Sequence, residues 1–138
     1  MTTARDVMTP GAECVQSDET AGDAARLMAR LGVGALPICG KDNKVKGVVT
    51  DRDLVTKVLA EGRKPAEMPA GSLNQAEAVT VGADDDMSEV LATMSGHGVR
   101  RVPVIDGDRL VGMIAVADVA RSLPHDETGR LLEALSAD

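Results

Sequence analysis

The sequence predicts an α/β protein made of two pseudo-symmetric β-α-β-β-α units packed through their sheets. Three observations carry that expectation. The phrase "GVVTDRDL" at 47–54 returns as "GMIAVADV" at 112–119, each reading glycine, two apolar residues, three variable residues, aspartate and an aliphatic residue. Setting Pro37 on Pro103 brings the halves into register, with Gly32 on Gly98, Val33 on Val99, Val15 on Val81 and Met28 on Met94. One residue is lost in the following turn, "GKDNK" against "DGDR", after which Gly47 meets Gly112 and Asp53 meets Asp118. Finally, the apolar positions between these landmarks alternate between helical and strand-like spacing in the same order in both halves.

Each unit opens on a short strand, "CVQ" at 14–16 and "VTV" at 79–81. A helix follows, with Ser17 or Asp18 as the expected N-cap in the first unit and Asp84 or Asp85 in the second. The stripe Ala21, Ala24, Met28, Leu31 and its counterpart Met87, Val90, Leu91, Met94 give these helices a buried face. Gly32 and Gly98 stop them, because glycine accepts the left-handed conformation of a C-cap. A hairpin comes next, "ALPIC" with "KGVVT" and "RVPVI" with "LVGMIA". Such continuous apolar runs are expected of sheets covered on both faces, by helices on one side and the sister unit on the other. A second helix closes each unit, over 51–60 and over "VADVARSL", the latter stopping before Pro124. The expected organisation is a first unit at 4–60, a Pro/Gly-rich linker at 61–71, a second unit at 72–123, and a tail at 124–138 with a helix around Leu131, Leu132 and Leu135.

With 138 residues the chain has room for one ordinary domain or two small ones, and units of about 60 residues are marginal alone, so two would lean on each other. It contains no Phe, Trp or Tyr, so its core is aliphatic and it offers no aromatic platform for single-stranded nucleic acid. A net charge of −7 also opposes binding to a phosphate backbone, and nucleic acid is not an expected partner. The start, "MTTARDVMTPGAECV", has no signal-type apolar core, and no stretch approaches the roughly 20 apolar residues of a membrane span. The expectation is a cytoplasmic protein that does not engage a membrane.

The duplicated units, "RDVM" at the start, "GALPIC" and "RRVPVI" in the middle and "GVVTDRDL" at the end, resemble a tandem pair of CBS domains, the family named from cystathionine β-synthase. The resemblance runs from about Ala4 to Leu123 and extends to small actinobacterial CBS-pair proteins of the hypoxic-response type, which carry no enzyme domain. It implies two units packed sheet to sheet about a pseudo-twofold axis, with clefts that commonly take adenosine compounds: AMP, ADP, ATP or S-adenosylmethionine. It implies that Asp53 and Asp118 bind ribose hydroxyls, that Thr50 approaches phosphate, and that Arg100 or Arg101 meets phosphate. It also implies a regulatory or sensing module, no catalytic residues, no required cofactor, a homodimer, and an unknown protein partner.

Each site residue has a structural reading as well. Thr50 and Asp53 at N-cap and N3 make a capping box for the helix at 51–60, and an acid in the first turn suits the helix dipole. Ala115 cannot cap in this way, yet Asp118 persists at the matching place, which points to another contact for Asp118. The Thr50/Asp53 cleft is accordingly expected to hold ribose better than its sister. Arg100 and Arg101 are adjacent, so on a strand they point to opposite faces and at most one need meet an anion. The matching residues in the first unit, Gly34 and Ala35, supply no cation.

Cys14 and Cys39 fall on strands that could be neighbours, close enough for a disulfide. A reducing cytoplasm favours the alternative of two small buried thiols. His97 and His125, the only histidines, show no recognised metal spacing with the cysteines, so no metal is expected. Two competing functions stay open: a ligand-free stress or interaction protein, favoured by Ala115, Gly34 and Ala35, and a thiol or metal protein using Cys14 and Cys39.

Overall fold

Two short elements, α1 (Ala4–Val7) and β1 (Thr9–Pro10), precede the first strand of the repeat in the computed structural model, which describes residues 1–74 and 78–136. Positions 75–77 of the second expected unit and 137–138 of the tail lie outside the described residues. The first repeat continues with β2 (Val15–Gln16), α2 (Ala21–Leu31), β3 (Ala35–Cys39), β4 (Val45–Thr50) and α3 (Asp51–Leu54), which runs on as a wider π-helical turn through Leu59. The linker forms two 3₁₀ turns, Pro65–Glu67 and Ala70–Ser72. The second repeat supplies β5 (Val81–Gly82), α4 (Met87–His97), β6 (Arg101–Asp106), β7 (Arg109–Ala115) and α5 (Val116–Ser122), and the tail is α6 (His125–Ser136).

The two repeats share one topology. β2 runs parallel to β3 and β3 antiparallel to β4, and β5, β6 and β7 repeat this order and sense. The ladder slips between Ile38 and Cys39 in one sheet and between Val104 and Ile105 in the other, the same register position just before the turn that loses one residue. Gly32 and Gly98 both close their helices in the left-handed conformation, at φ 68° and 64°. In both, the following valine N–H, Val33 or Val99, donates to the carbonyl of Met28 or Met94.

The first helices start later than their acids suggest. Ser17 N–H donates to the Cys39 carbonyl and Glu19 N–H to the Gln16 carbonyl, so residues 16–19 form a turn, and Thr20, in a reciprocal pair with Asp23, is the N-cap of α2. In the second repeat Asp85 accepts from Gly82 N–H at 2.8 Å inside the matching turn, and Asp86 caps α4. Ser17, Asp18, Asp84 and Asp85 are therefore not the caps. Leu31 also departs from its expected buried stripe, because the chain leaves α2 there and exposes it.

In space the chain forms two compact units, Glu13–Ala78 and a second made of Met1–Ala12 with Val79–Asp138. Residues 4–12, which the expected first unit at 4–60 includes, pack instead with the second repeat. Ala4 and Val7 join the core of Val90, Met94, Val102, Val104 and Ile114, while β1 pairs antiparallel with β7. α6 adds Leu131 to the same core. The first-repeat unit has its own core around Leu36, Ile38, Val49 and Leu73.

Candidate functional site

β4 delivers Thr50 to the end of its sheet, opposite Ala35, where the chain turns into α3. Thr50 N–H donates to Asp53 Oδ2 at 2.9 Å, and Asp53 N–H donates to Thr50 Oγ1 at 3.1 Å. The capping box is complete, and the other carboxylate oxygen, Oδ1, faces Lys57 Nζ at 3.3 Å. Asp53 keeps 20% of its side chain exposed and Lys57 half of its own. Asp51 lies alongside, its N–H on the Gly34 carbonyl, and its Oδ2 sits 2.9 Å from where a Cβ at Gly34 would stand. The Asp51 carboxylate thus stands where a side chain at position 34 would begin.

Asp118 has the same backbone setting and a different environment. Ala115 N–H donates to its Oδ2 at 2.8 Å, as Thr50 does to Asp53. Its Oδ1 accepts the Thr9 hydroxyl at 2.9 Å and the Arg121 guanidinium at 2.6 Å, and only 7% of the side chain is exposed. The additional contact that Ala115 leads one to expect is therefore supplied by this chain itself. Arg101 stands opposite Ala115 in the β6–β7 ladder, and the Arg100 carbonyl accepts from Val116 N–H, so both arginines sit at the Asp118 end of their unit, exposed. Within each unit, then, Thr50 is brought to Asp53, and Arg100 and Arg101 are brought to the start of α5.

Lys57 and Arg121 were legible as i+4 and i+3 partners of the two aspartates on their helices. Thr9 was not, since it lies 109 residues from Asp118. Its counterpart by repeat register is Gln75, outside the described residues.

Cys14 and Cys39 are joined in a disulfide, with Cα atoms 5.7 Å apart. This corrects the expectation of two buried thiols. β2 and β3 are parallel neighbours, and Gln16 pairs directly with Cys39, which leaves Cys14 within reach of it.

A CBS domain model matches residues 4–60 and again 70–125. The chain belongs to the CBS family. Over 98% of its length it is 45% identical to Hypoxic response protein 1 of Mycobacterium tuberculosis, covering 94% of that protein. A crystal structure described as Hypoxic Response Protein I with two coordinated zinc ions matches with a TM-score of 0.81 and 48% identity, over 89% of this chain and all of that one. The CBS domain pair of protein MJ0100, in complex with 5′-methylthioadenosine and S-adenosyl-L-methionine, matches with a TM-score of 0.75 and 25% identity, over 88% of this chain and 94% of that one. The two CBS domains take up most of the 138 residues, and no catalytic domain stands beside them within the chain. It is a CBS-pair regulatory module. Among the described residues no helix is long and apolar enough to cross a membrane.

Proposed function

We propose that this CBS pair is a stress-linked sensing module that binds an adenosine-type ligand, with Asp53 receiving the ribose hydroxyls and Thr50 placed beside the 5′ substituent. The observation that carries the reading is the difference between the two aspartates. Among the described residues Asp53 Oδ1 faces the half-exposed Lys57 ammonium, which also donates to the Leu73 carbonyl and can yield its place to a ligand, whereas Asp118 Oδ1 is already held by a hydroxyl and a guanidinium. Hydrogen bonds from ribose hydroxyls to a carboxylate contribute roughly 1.5–3 kcal/mol each. At Asp53 that gain is available, but at Asp118 a ribose would first displace two partners. Thr50 Oγ1 accepts from Asp53 N–H and keeps its own proton to donate. Arg100 and Arg101 are exposed and remain available to a phosphate.

Zinc is not part of this reading. Among the described residues no three of His, Cys, Asp and Glu gather to hold a metal, and the two cysteine sulfurs are bonded to each other. A homodimer is part of it. Leu31, Val33, Val55 and Leu59 of the first-repeat unit are between 37% and 65% exposed, a large apolar population for the surface of so small a chain.

Calorimetric titration with AMP, ATP and S-adenosylmethionine tests the ligand reading. Asp53→Ala should abolish tight binding, and Thr50→Ala should cost about 1 kcal/mol, or several-fold in affinity. Asp118→Ala should cost stability more than affinity. If Asp118→Ala weakens binding more than Asp53→Ala does, the assignment is reversed. A folded wild type that binds none of the three is the ligand-free interaction protein instead. Sedimentation of the same samples should show a dimer, and a particle of only 14.3 kDa at tens of micromolar would remove that part.

A further inference from the structure

We infer that Cys14 is a site of thiol exchange with a small amino-acid-type monothiol, a chemistry separate from the adenosine reading. The two ends of the disulfide differ in access. Cys39 is 1% exposed, whereas Cys14 is partly exposed and lines an open groove of about 410 Å³ with Glu13, Glu19, Asp23, Arg26 and Arg30. That volume lies in the range that takes small organic molecules.

The groove carries charges of both signs. Arg26 is paired with Asp23 at 2.7 Å and Arg30 with Glu13 at 3.5 Å, and both arginine side chains are well exposed. Exposed pairs of this kind are held weakly, so a guanidinium can turn to an incoming carboxylate while Glu13 accepts an ammonium. Asp23 is held below the ordinary carboxylate range by the Thr20 N–H and by Arg26, and so stays ionised. Glu19 is committed to Gln16 N–H. A zwitterion bearing a thiol matches this set.

The exchange balances without an outside oxidant. The thiolate of the small molecule attacks Cys14 Sγ, a new S–S bond forms there, and the Cys14–Cys39 bond breaks. Cys39 Sγ leaves with the electron pair and takes up the proton that the attacking thiol released. The products are a mixed disulfide on Cys14 and a buried Cys39 thiol, which packs as a small apolar group. β2, two residues long, then loses this covalent tie to β3 and keeps its ladder and the buried Val15.

The test incubates the oxidised native protein with free cysteine and maps the adduct by peptide mass spectrometry. One adduct per chain is expected, on Cys14. Arg30→Gln should slow its formation roughly threefold or more, while leaving the rate with uncharged mercaptoethanol unchanged. A native protein that forms no adduct, while its urea-unfolded form does, would make the disulfide a structural staple only. An adduct on Cys39, or equal rates for wild type and Arg30→Gln with cysteine, would equally overturn the inference.

Discussion

A methyl group at position 112 would stand 2.7 Å from the Thr9 carbonyl oxygen and 2.6 Å from Met8 Sδ. That explains why the second copy of the repeated phrase opens on glycine. Met8 and Thr9 cross directly over Gly112 as β1 joins β7, and a backbone carbonyl cannot step aside as a flexible side chain can. In the first repeat Asn74 crosses over Gly47, but the nearest atom to a Cβ there would be 3.4 Å away, an ordinary contact. Gly112→Ala should therefore lower stability by roughly 1–3 kcal/mol through forced movement of β1. Gly47→Ala should fall within about 0.5 kcal/mol of wild type or be slightly stabilising, since it also restricts the unfolded chain. Urea denaturation of the two variants separates them, and equal midpoints would contradict this account. The recurrence of the glycine was legible in the sequence; its reason was not, because the crossing segments lie far from it along the chain. The same holds for the aspartates. Their helical partners Lys57 and Arg121 follow from spacing, while the Thr9 hydroxyl that closes Asp118 comes from the other end of the chain.

Among the elements, those fixed by local chemistry were readable. Gly32 and Gly98 end their helices because both adopt positive φ, and the hairpins follow from apolar runs separated by polar turns. The ladder slip beside each hairpin is the same in both sheets, so the one-residue difference between the repeats falls in the turn beyond it. Helix starts were misplaced by competition among neighbouring caps. In "SDET" and "ADDD" several residues can cap, and the choice falls to the ladder. Ser17 N–H is taken by Cys39, and the turn that follows consumes Glu19 in one repeat and Asp85 in the other. The disulfide was misjudged for a related reason. The expected compartment argued for free thiols, whereas strand adjacency, once formed, brings the sulfurs together. At the candidate site the sequence places Thr50 beside Asp53 correctly as neighbours on one turn, but gives no sign that the two repeats would differ so strongly in how free their aspartates are.

For the molecule as a whole, the N-terminal segment packs with the second repeat rather than with the first repeat, which it precedes in sequence, and this sets what its removal should do. Deleting residues 1–12 takes Ala4 and Val7, both buried, out of the second-repeat core. It also removes the hydrogen bonds from Ala4 N–H to the Asp85 carbonyl, from Arg5 N–H to the Ala83 carbonyl and from Met87 N–H to the Thr2 carbonyl. Burial of one valine is worth about 1.5–3 kcal/mol and each hydrogen bond about 1 kcal/mol. Asp118 loses Thr9 and keeps Arg121, so a buried carboxylate is left less satisfied, which adds to the cost. Against a stability of roughly 0.05–0.15 kcal/mol per residue, a unit of this size cannot absorb such a loss and stay fully folded. Hydrogen exchange on the truncated chain should therefore show protection collapsing first in β5, β6, β7 and α4, while β3 and β4 of the other unit keep theirs longer. The opposite order would mean that residues 1–12 support the repeat they precede in sequence.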